Sequence, residues 1–320
     1  MADRKMGRDT GRLRQEIRTD IADRLKEVGA MAVGFAKAGE IGKEASLHYR
    51  RWIEEGNHAD MAYLQRHEPL RLHTDNILKG AKTVISLAFS YVPKEWRRDD
   101  LPYVAAYAYG EDYHNALRKI LKPVIKNLSD QYGGKWRICI DSAPIAERYW
   151  AIKSGIGKLG LNGSVIVDGC GGLCFLIEIL TTLDLIEDTD DNIEIPFCNK
   201  CGICLEVCPG KALQDDGTID AGRCLNYISI EKKDEFSEEE KDLMKKGKGY
   251  LYGCDLCLRV CPHNKALEPS LLEAFQLKEV IRNLSKKQIL EMKEEEFKEL
   301  FKDSPLLYAG YQRLLRNAQD

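Results

Sequence analysis

Eleven cysteines give this 320-residue sequence its clearest chemical signal. The first run is Cys198, Cys201, Cys204, Cys208 and Pro209. In a run with this spacing, the first three thiolates bind one 4Fe–4S cluster and the fourth reaches a second cluster. A second, partial run follows: Cys254, Cys257, Cys261 and Pro262, with Leu251 in place of its first cysteine. Two cubane clusters need eight thiolates, and these runs supply seven.

Cys224 lies between the two runs and is the natural candidate for the eighth ligand. We therefore predict two crossed ligand sets: Cys198, Cys201, Cys204 and Cys261 for one cluster, and Cys208, Cys224, Cys254 and Cys257 for the other. Shared runs of this kind hold two clusters close together, which suits stepwise electron transfer.

Structural zinc is the competing interpretation, since paired Cys-x-x-Cys motifs also bind zinc. Zinc gives no reason for the proline-terminated pattern, so the spacing favours iron–sulfur clusters. Cys139 and Cys174 lie beside predicted strands and are interpreted as buried apolar residues. Cys170 lies in a glycine-rich turn, where we expect it to be more exposed, and the sequence assigns it no role.

Asp141 is the second chemical candidate, because it directly follows a predicted strand and precedes Pro144. Sites in α/β sheets gather at the carboxyl ends of strands, where a partly buried carboxylic acid can hold and donate a proton. The alternative is that Asp141 or Ser142 caps the next helix. A polar and aromatic cluster lies nearby in the sequence: Tyr107, Tyr109, Asp112, Tyr113 and His114.

Gly155, Gly157 and Gly160 match the dinucleotide-binding string, which requires a strand before it and a helix after it. Here a predicted helix precedes and a predicted strand follows. The reversed order favours a loop near some ligand over a nicotinamide or flavin site.

Helices and strands alternate up to about residue 185, which predicts one α/β or α+β domain. The predicted helices are 13–28, 44–55, 113–132 and 144–153, and the predicted strands are 32–35, 83–89, 103–108, 136–140, 164–167 and 174–179. We place a first domain at 1–185, a cysteine-rich domain at 186–268 and a helical C-terminal segment at 269–320 that packs on the core. In this segment Ser285 and Gln288 predict a capping box, and Phe297, Leu300 and Phe301 share one helical face.

The composition excludes several classes. The net charge of −3 provides no global basic field for nucleic acid, so such a partner must use a local patch. No apolar run is long enough for a membrane span and the N-terminus has no export signal, so we expect a cytoplasmic protein without a membrane partner. A plain electron carrier would leave the first 185 residues without a purpose.

Segments throughout the chain resemble one family, the epoxyqueuosine reductases. The resemblance is carried by residues 58–64, 107–114, 141–147, 178–184 and 297–317, together with both cysteine runs. It implies an α/β (α+β) cobalamin-binding domain at 1–185 joined to a ferredoxin-like two-cluster 4Fe–4S domain with a helical C-terminal tail. It also implies reduction of epoxyqueuosine to queuosine at the wobble position of a tRNA. The clusters would pass electrons to cobalamin, and Asp141 would donate the proton.

The resemblance also implies cofactor contacts, which are Arg71, Tyr107, Tyr109, His114, Asp141, Asn162, Asn226, Cys254 and Asp255. Asp112-x-His114 lacks the following glycine of the motif that supplies a histidine to cobalt, since Leu117 stands there. We therefore expect base-off cobalamin without that histidine. Asn162 follows Leu161 where the family usually has lysine, and Asn226 replaces a usual serine.

The implied partners are tRNA bearing epoxyqueuosine and a low-potential electron donor of the flavodoxin or ferredoxin type, with the protein a monomer. Candidate phosphate contacts are Lys245, Lys246, Lys248, Lys302, Arg313 and Arg316. The main alternative is a related cobalamin and iron–sulfur reductase of a small molecule such as an organohalide.

Overall fold

A computed structural model describes residues 2–187, 195–246 and 249–319, with side chains from residue 11 onward. The helices are α1 Ala2–Glu27, α2 Lys43–Glu54, α3 Ala62–Arg66, α4 Glu68–Leu72, α5 Tyr113–Tyr132, α6 Glu147–Lys153, α7 Ile203–Val207, α8 Leu225–Ile230, α9 Glu238–Met244, α10 Leu256–Arg259, α11 Glu279–Arg282, α12 Lys286–Glu291, α13 Glu294–Leu300, α14 Leu306–Ala309 and α15 Tyr311–Gln319. The strands are β1 Ala32–Lys37, β2 Thr83–Ser90, β3 Tyr103–Val104, β4 Trp136–Ile140, β5 Lys158–Leu159, β6 Val165–Ile166, β7 Cys174–Thr181 and β8 Tyr250–Tyr252.

The main sheet has four strands in the order β1-β2-β7-β4, and each adjacent pair is antiparallel. All eight residues of β2 are buried, because helices cover both faces of the sheet. The α1 and α5 helices pack on one face, and α6 packs on the other. The first region is therefore of the α+β type. The strand-end rule used for Asp141 belongs to parallel sheets and does not apply here.

Most predicted elements are confirmed, and the misses have local causes. Residues 103–108 were expected to form one strand, but β3 ends at Val104 and a short 3-10 turn follows at Ala106–Ala108. The helix expected from Pro144 begins only at Glu147, because the chain first makes a turn. The capping box of Ser285 and Gln288 is confirmed. Phe297 and Phe301 are fully buried, but Leu300 is 44% exposed, so its assignment to their face was wrong.

The cysteine-rich region and the C-terminal segment contact the first region through backbone and core. Strand β3 pairs in parallel with β8, which directly precedes the second cysteine run. Residues from the C-terminal helices, including Phe297 and Leu314, belong to the same core cluster as Ile85 and Leu117. The division at residues 185 and 268 stays a prediction. None of the helices that the structure describes is both long and apolar enough for a membrane crossing.

Arg97 joins these regions and provides a test of the fold. Its guanidinium is 4% exposed and donates to the carbonyl oxygens of Pro102, Ile281 and Leu284. We expect Arg97→Ala to lower the free energy of unfolding by about 2–4 kcal/mol, because three buried carbonyls lose their donor. The neighbouring Arg98→Ala is the matched control, since Arg98 is 63% exposed and, among the described residues, its side chain pairs with nearby Asp100. Equal chemical-denaturation midpoints for the two variants would contradict this role.

Candidate active site and cluster-binding region

Asp141 lies just past the end of β4 in an unusual backbone conformation. Its φ is +43°, in the left-handed region that non-glycine residues rarely adopt. Its N–H donates to Glu147 Oε1 at 2.8 Å, and its carboxylate Oδ2 accepts from Tyr113 Oη at 2.8 Å. The side chain remains 57% exposed. Ala146, not Asp141 or Ser142, occupies the N-cap of α6, so the capping alternative was wrong.

The start of α5 holds the groups that face Asp141. Asp112 caps this helix by accepting from the His114 N–H at 2.9 Å. The His114 ring contacts Asp112 through Nδ1 at 2.8 Å and Asp141 through Nε2 at 3.0 Å. The Tyr113 ring stacks between His114 and Phe175, with centroid distances of 4.1 and 4.3 Å. Both imidazole nitrogens of His114 are therefore engaged by carboxylates.

These contacts set the protonation of the site. Burial disfavours the imidazolium of His114, but Asp112 and Asp141 outweigh it and raise its pKa to about 9. Burial acts to raise the pKa of Asp141. Hydrogen bonds from His114 and Tyr113 outweigh this effect and bring the pKa of Asp141 below its ordinary value. Burial and the Asp141 charge raise the pKa of Glu147 to about 8. At neutral pH, Asp141 is therefore ionised, whereas His114 and Glu147 are protonated.

The raised pKa of His114 has a consequence for stability. A group whose pKa is higher in the folded state than in the unfolded state stabilises the fold when it is protonated. For histidine this stabilisation is complete below the unfolded pKa of about 6.5. This contribution is lost as pH rises through the folded value of about 9. We expect urea midpoints of the wild type to fall over this interval more than those of His114→Gln. Parallel curves for the two proteins would show that the carboxylates do not hold the imidazolium.

Further charged and aromatic groups surround the cleft. Four side chains lie within electrostatic reach of each other or of Asp141: Tyr63 from α3, Arg71 from α4, and Glu231 and Tyr308 from later in the chain. Tyr308 donates to Glu231 Oε1 at 3.0 Å. Arg71 donates to the Ile145 carbonyl at 3.2 Å, and its buried Nε has no hydrogen-bond partner among the described residues. Groups from three parts of the chain therefore surround Asp141, and a buried guanidinium nitrogen among them lacks a partner in the described residues.

The first predicted ligand set surrounds one cavity of about 320 Å³. Cys198, Cys201, Cys204 and Cys261 all line it, although Cys261 is 53 residues beyond Cys208. Cys201 is exposed, so this cavity reaches the surface. In the part of the chain that the structure describes, no three His, Cys, Asp or Glu side chains converge to hold a single metal ion. The four thiols instead line the wall of a cavity.

The second predicted set is grouped more deeply. Cys208, Cys224, Cys254 and Cys257 lie within electrostatic reach of one another. Burial, and next the neighbouring thiols, raise the pKa of Cys254 and Cys257. Uncompensated thiols packed this way would resist ionisation, so a bound cation or cluster is needed to hold them as thiolates.

A short polar connection joins the second set to the Asp141 cleft. Asn226 follows Cys224 by two residues, and its Oδ1 accepts from Tyr107 Oη at 3.3 Å. The Tyr107 ring meets the Tyr113 ring edge-on at 6.4 Å. Gly253, at φ +68°, precedes Cys254, and a Cβ there would lie 3.1 Å from both Asn226 Oδ1 and Tyr107 Oη. A side chain at this position would close the space between the two sites.

Three of the predicted cofactor contacts have other surroundings in the structure. Tyr109 is fully buried, and its hydroxyl accepts from Arg97 and Arg259. Asp255 is 2% exposed and binds Tyr103, Arg259 and the Ala106 N–H. The side chains of Tyr109 and Asp255 thus hold the fold together and are not available to a cofactor in the cleft. Asn162 lines the cavity of the first cysteine set.

The structure also bears on the remaining sequence predictions. The Gly155–Gly160 string follows α6 and contains β5, and a Cβ at Gly157 would lie 2.7 Å from the Ile166 carbonyl, so the glycine permits close packing. Cys139 is buried as expected, Cys174 is partly buried, and Cys170 is fully buried, contrary to the expected exposure. The prediction that Arg316 contacts phosphate was wrong, because Arg316 is 8% exposed. Its guanidinium donates to the carbonyls of Ile228, Lys232 and Asp234. Lys248 lies outside the described residues.

Glu147 and Glu178 were missed as functional candidates. Glu147 was visible in the sequence only as the end of the 141–147 segment, and its contact with Asp141 depends on the turn before α6. Glu178 is fully buried in the middle of β7. Two signals were available for it: it is a charged residue within an otherwise apolar strand, and it begins the 178–184 segment.

Comparisons with known proteins show the family of this chain. Residues 71–142 match the family model described as epoxyqueuosine reductase QueG, DUF1730, and residues 197–264 match a 4Fe-4S double cluster binding domain. An epoxyqueuosine reductase of Cyclobacterium marinum is 35% identical over 89% of this chain and 90% of its own length. One from Pseudomonas aeruginosa is 33% identical over 99% and 87%.

A crystal structure of epoxyqueuosine reductase with an epoxyqueuosine-modified tRNA-Tyr stem loop has the same fold. It superposes with a TM-score of 0.82 at 23% identity, covering 95% of this chain and 80% of the other. The double-cluster match favours the iron–sulfur interpretation of the cysteine runs over zinc. On the sequence identity and its coverage, the chain belongs to the epoxyqueuosine reductase family of oxidoreductases.

Proposed function

We propose that this protein reduces epoxyqueuosine to queuosine at the wobble position of a tRNA. The observation that carries the proposal is the Tyr107–Asn226 contact, which joins the Asp141 cleft to the second cysteine set. The tRNA stem loop bound by the relative of known structure supports an RNA substrate. Conversion of an epoxide to an alkene and water takes up two electrons and two protons. The chain has a candidate source for each.

The cysteine sets fit two 4Fe–4S clusters, with the crossed ligands predicted from the spacing. The exposed Cys201 would place the first cluster nearest an external low-potential donor, and the deeper second set nearest the Asp141 cleft. The donor would be of the flavodoxin or ferredoxin type.

The cleft also fits cobalamin. The unpartnered, buried Arg71 Nε provides a donor for polar groups of the cofactor, and Gly253 leaves room beside Tyr107 and Asn226. Both His114 nitrogens are engaged by carboxylates, so this residue would contact the cofactor or substrate without ligating cobalt. When bound base-off, cobalamin would supply a strongly reducing centre for opening the epoxide.

The residues of this chain would control the proton at the epoxide oxygen. Asp141 is accessible, and it shares a hydrogen bond with protonated His114. We infer that Asp141 delivers to the oxygen the proton it receives from His114, while Tyr113 and Glu147 hold it in place. A low pKa for Asp141 in the resting site is compatible with this role, because the pair carries the proton jointly.

Two alternatives make different predictions. A plain electron carrier would not retain cobalamin, so a visible spectrum after gel filtration of the reconstituted protein tests that alternative directly. A reductase of small molecules would convert a halogenated phenol or the free modified nucleoside as well as the stem loop. We expect bound cobalamin and a rate on the stem loop far above that on either small molecule. Equal rates on all three would favour the small-molecule alternative.

A further inference from the structure

Three carboxyl groups lead inward from the cleft, and only the outermost, Asp141, carries a proton in the proposed function. Asp141 is 57% exposed, Glu147 is partly buried, and Glu178 is fully buried. Both Glu178 oxygens lack a hydrogen-bond partner in the described part of the chain. Buried carboxyls without partners are costly when charged, so this region of the protein favours neutral acids.

The fold brings the three groups together from separate elements. Glu147 is the first residue of α6, and its Oε1 accepts the Asp141 N–H at 2.8 Å. Glu178 lies at the centre of β7, opposite Cys139 on β4 and Ser86 on β2. The α6 helix packs on this sheet face. Burial raises the pKa of Glu178 well above its ordinary value. The charge of the nearby Glu147 raises this pKa further.

Glu147 faces charged or titratable groups on several elements: Arg71, Tyr113, Cys139, Asp141, Arg148 and Glu178. Arg71 and Arg148 favour its carboxylate, whereas burial and the Asp141 charge oppose ionisation more strongly. Like charges held this close cannot all be present, so a proton stays on Glu147 at neutral pH while Asp141 is ionised. The site therefore holds one transferable proton in the His114–Asp141 pair and another on Glu147.

We propose that Glu147 supplies the second proton of the reaction, passing it to Asp141 after the first has left. This inference rests on the proposed function, because conversion of an epoxide to an alkene and water requires a second proton. Both bonds from carbon to the epoxide oxygen break, and the clusters provide two electrons. One proton comes from the His114–Asp141 pair and one from Glu147, so that the oxygen leaves as water and the alkene forms. Glu147 acts through Asp141 and does not need to touch the substrate.

The test uses Glu147→Gln, which keeps an oxygen to accept the Asp141 N–H but carries no transferable proton. In steady-state assays of the full, reconstituted protein, we expect turnover to fall about 100-fold, within the usual range for a lost proton donor. We also expect the decline of the wild-type rate near pH 8 to be absent from the variant. Glu147→Asp should restore part of both the rate and this decline. Retention of the wild-type rate and pH profile by Glu147→Gln would overturn the proposal.

A second readout needs no substrate. Infrared spectra of the resting wild type should show absorption of protonated carboxylic acids at neutral pH. Glu147→Gln should remove one component and Glu178→Gln another, while Glu291→Gln, at an exposed position on α12, should remove neither. If Glu147→Gln leaves the absorption unchanged, the second-proton proposal fails whatever the substrate. If the absorption changes but wild type leaves epoxyqueuosine intact, the proposed function fails instead.

Discussion

Asp141→Asn is expected to lower the turnover of epoxyqueuosine at least about 100-fold while both clusters and the fold remain intact. Asparagine cannot hold a transferable proton, but it can still accept from Tyr113 Oη and His114 Nε2. It also tolerates the φ of +43° better than most residues do. The loss should therefore appear in the chemical step and leave structure unchanged. Nucleoside mass spectrometry after single-turnover incubation measures it.

Ser142→Ala is the matched control for this substitution. Ser142 is the neighbouring exposed residue, and its hydroxyl donates to the Ile140 carbonyl at 3.3 Å. We expect its turnover to stay within about twofold of wild type, since loss of one weak exposed hydrogen bond changes little. If Asp141→Asn turned over at the rate of Ser142→Ala, the proton-donor role of Asp141 would be wrong.

The second large effect concerns Cys224, the cysteine that lies between the two runs. Cys224→Ala is expected to lower iron and sulfide to about half of the wild-type content, because one of two four-iron clusters loses a ligand. Turnover should be lost as well, since the affected set is the one connected to the Asp141 cleft through Asn226 and Tyr107. Iron analysis and low-temperature electron paramagnetic resonance of anaerobically purified protein measure the change.

Cys170→Ala provides the control for a buried thiol that belongs to neither set. Its iron content should equal that of the wild type. A pair of variants tests the crossed assignment further, because Cys257 and Cys261 are four residues apart but are assigned to different clusters. Cys257→Ala and Cys261→Ala should each abolish a different resonance signal. Loss of the same signal in both would contradict the crossing.

Spacing along the chain predicts how the cysteines group, and the assignment of each cysteine to a cluster stays a prediction. The Cys198–Cys208 run and the lone Cys224 carry their geometry in a short stretch of chain, and the structure brings both predicted sets together. Helices with clear periodicity, such as α1 and α5, and the apolar strand β2 were also predictable. These features depend on neighbours in sequence, so the sequence suffices for them.

Features that depend on tertiary contacts could not be predicted in this way. Nothing in the sequence indicated that all strands of the main sheet run antiparallel, or that Tyr109 and Asp255 would be consumed by internal hydrogen bonds. Asp141 was selected for its place after a strand, but its environment comes from α5 and α6. The acidic pair of Glu147 and Glu178 became visible only when α6 was packed on β7.

The central claim is that the cysteine sets and the Asp141 cleft together reduce epoxyqueuosine in RNA. The most direct test is anaerobic incubation of wild-type protein, reconstituted with iron, sulfide and cobalamin, with an epoxyqueuosine-bearing stem loop and a low-potential reductant. Nucleoside mass spectrometry should show conversion of epoxyqueuosine to queuosine. Unchanged epoxyqueuosine, with protein that demonstrably holds both clusters and cobalamin, would contradict the account.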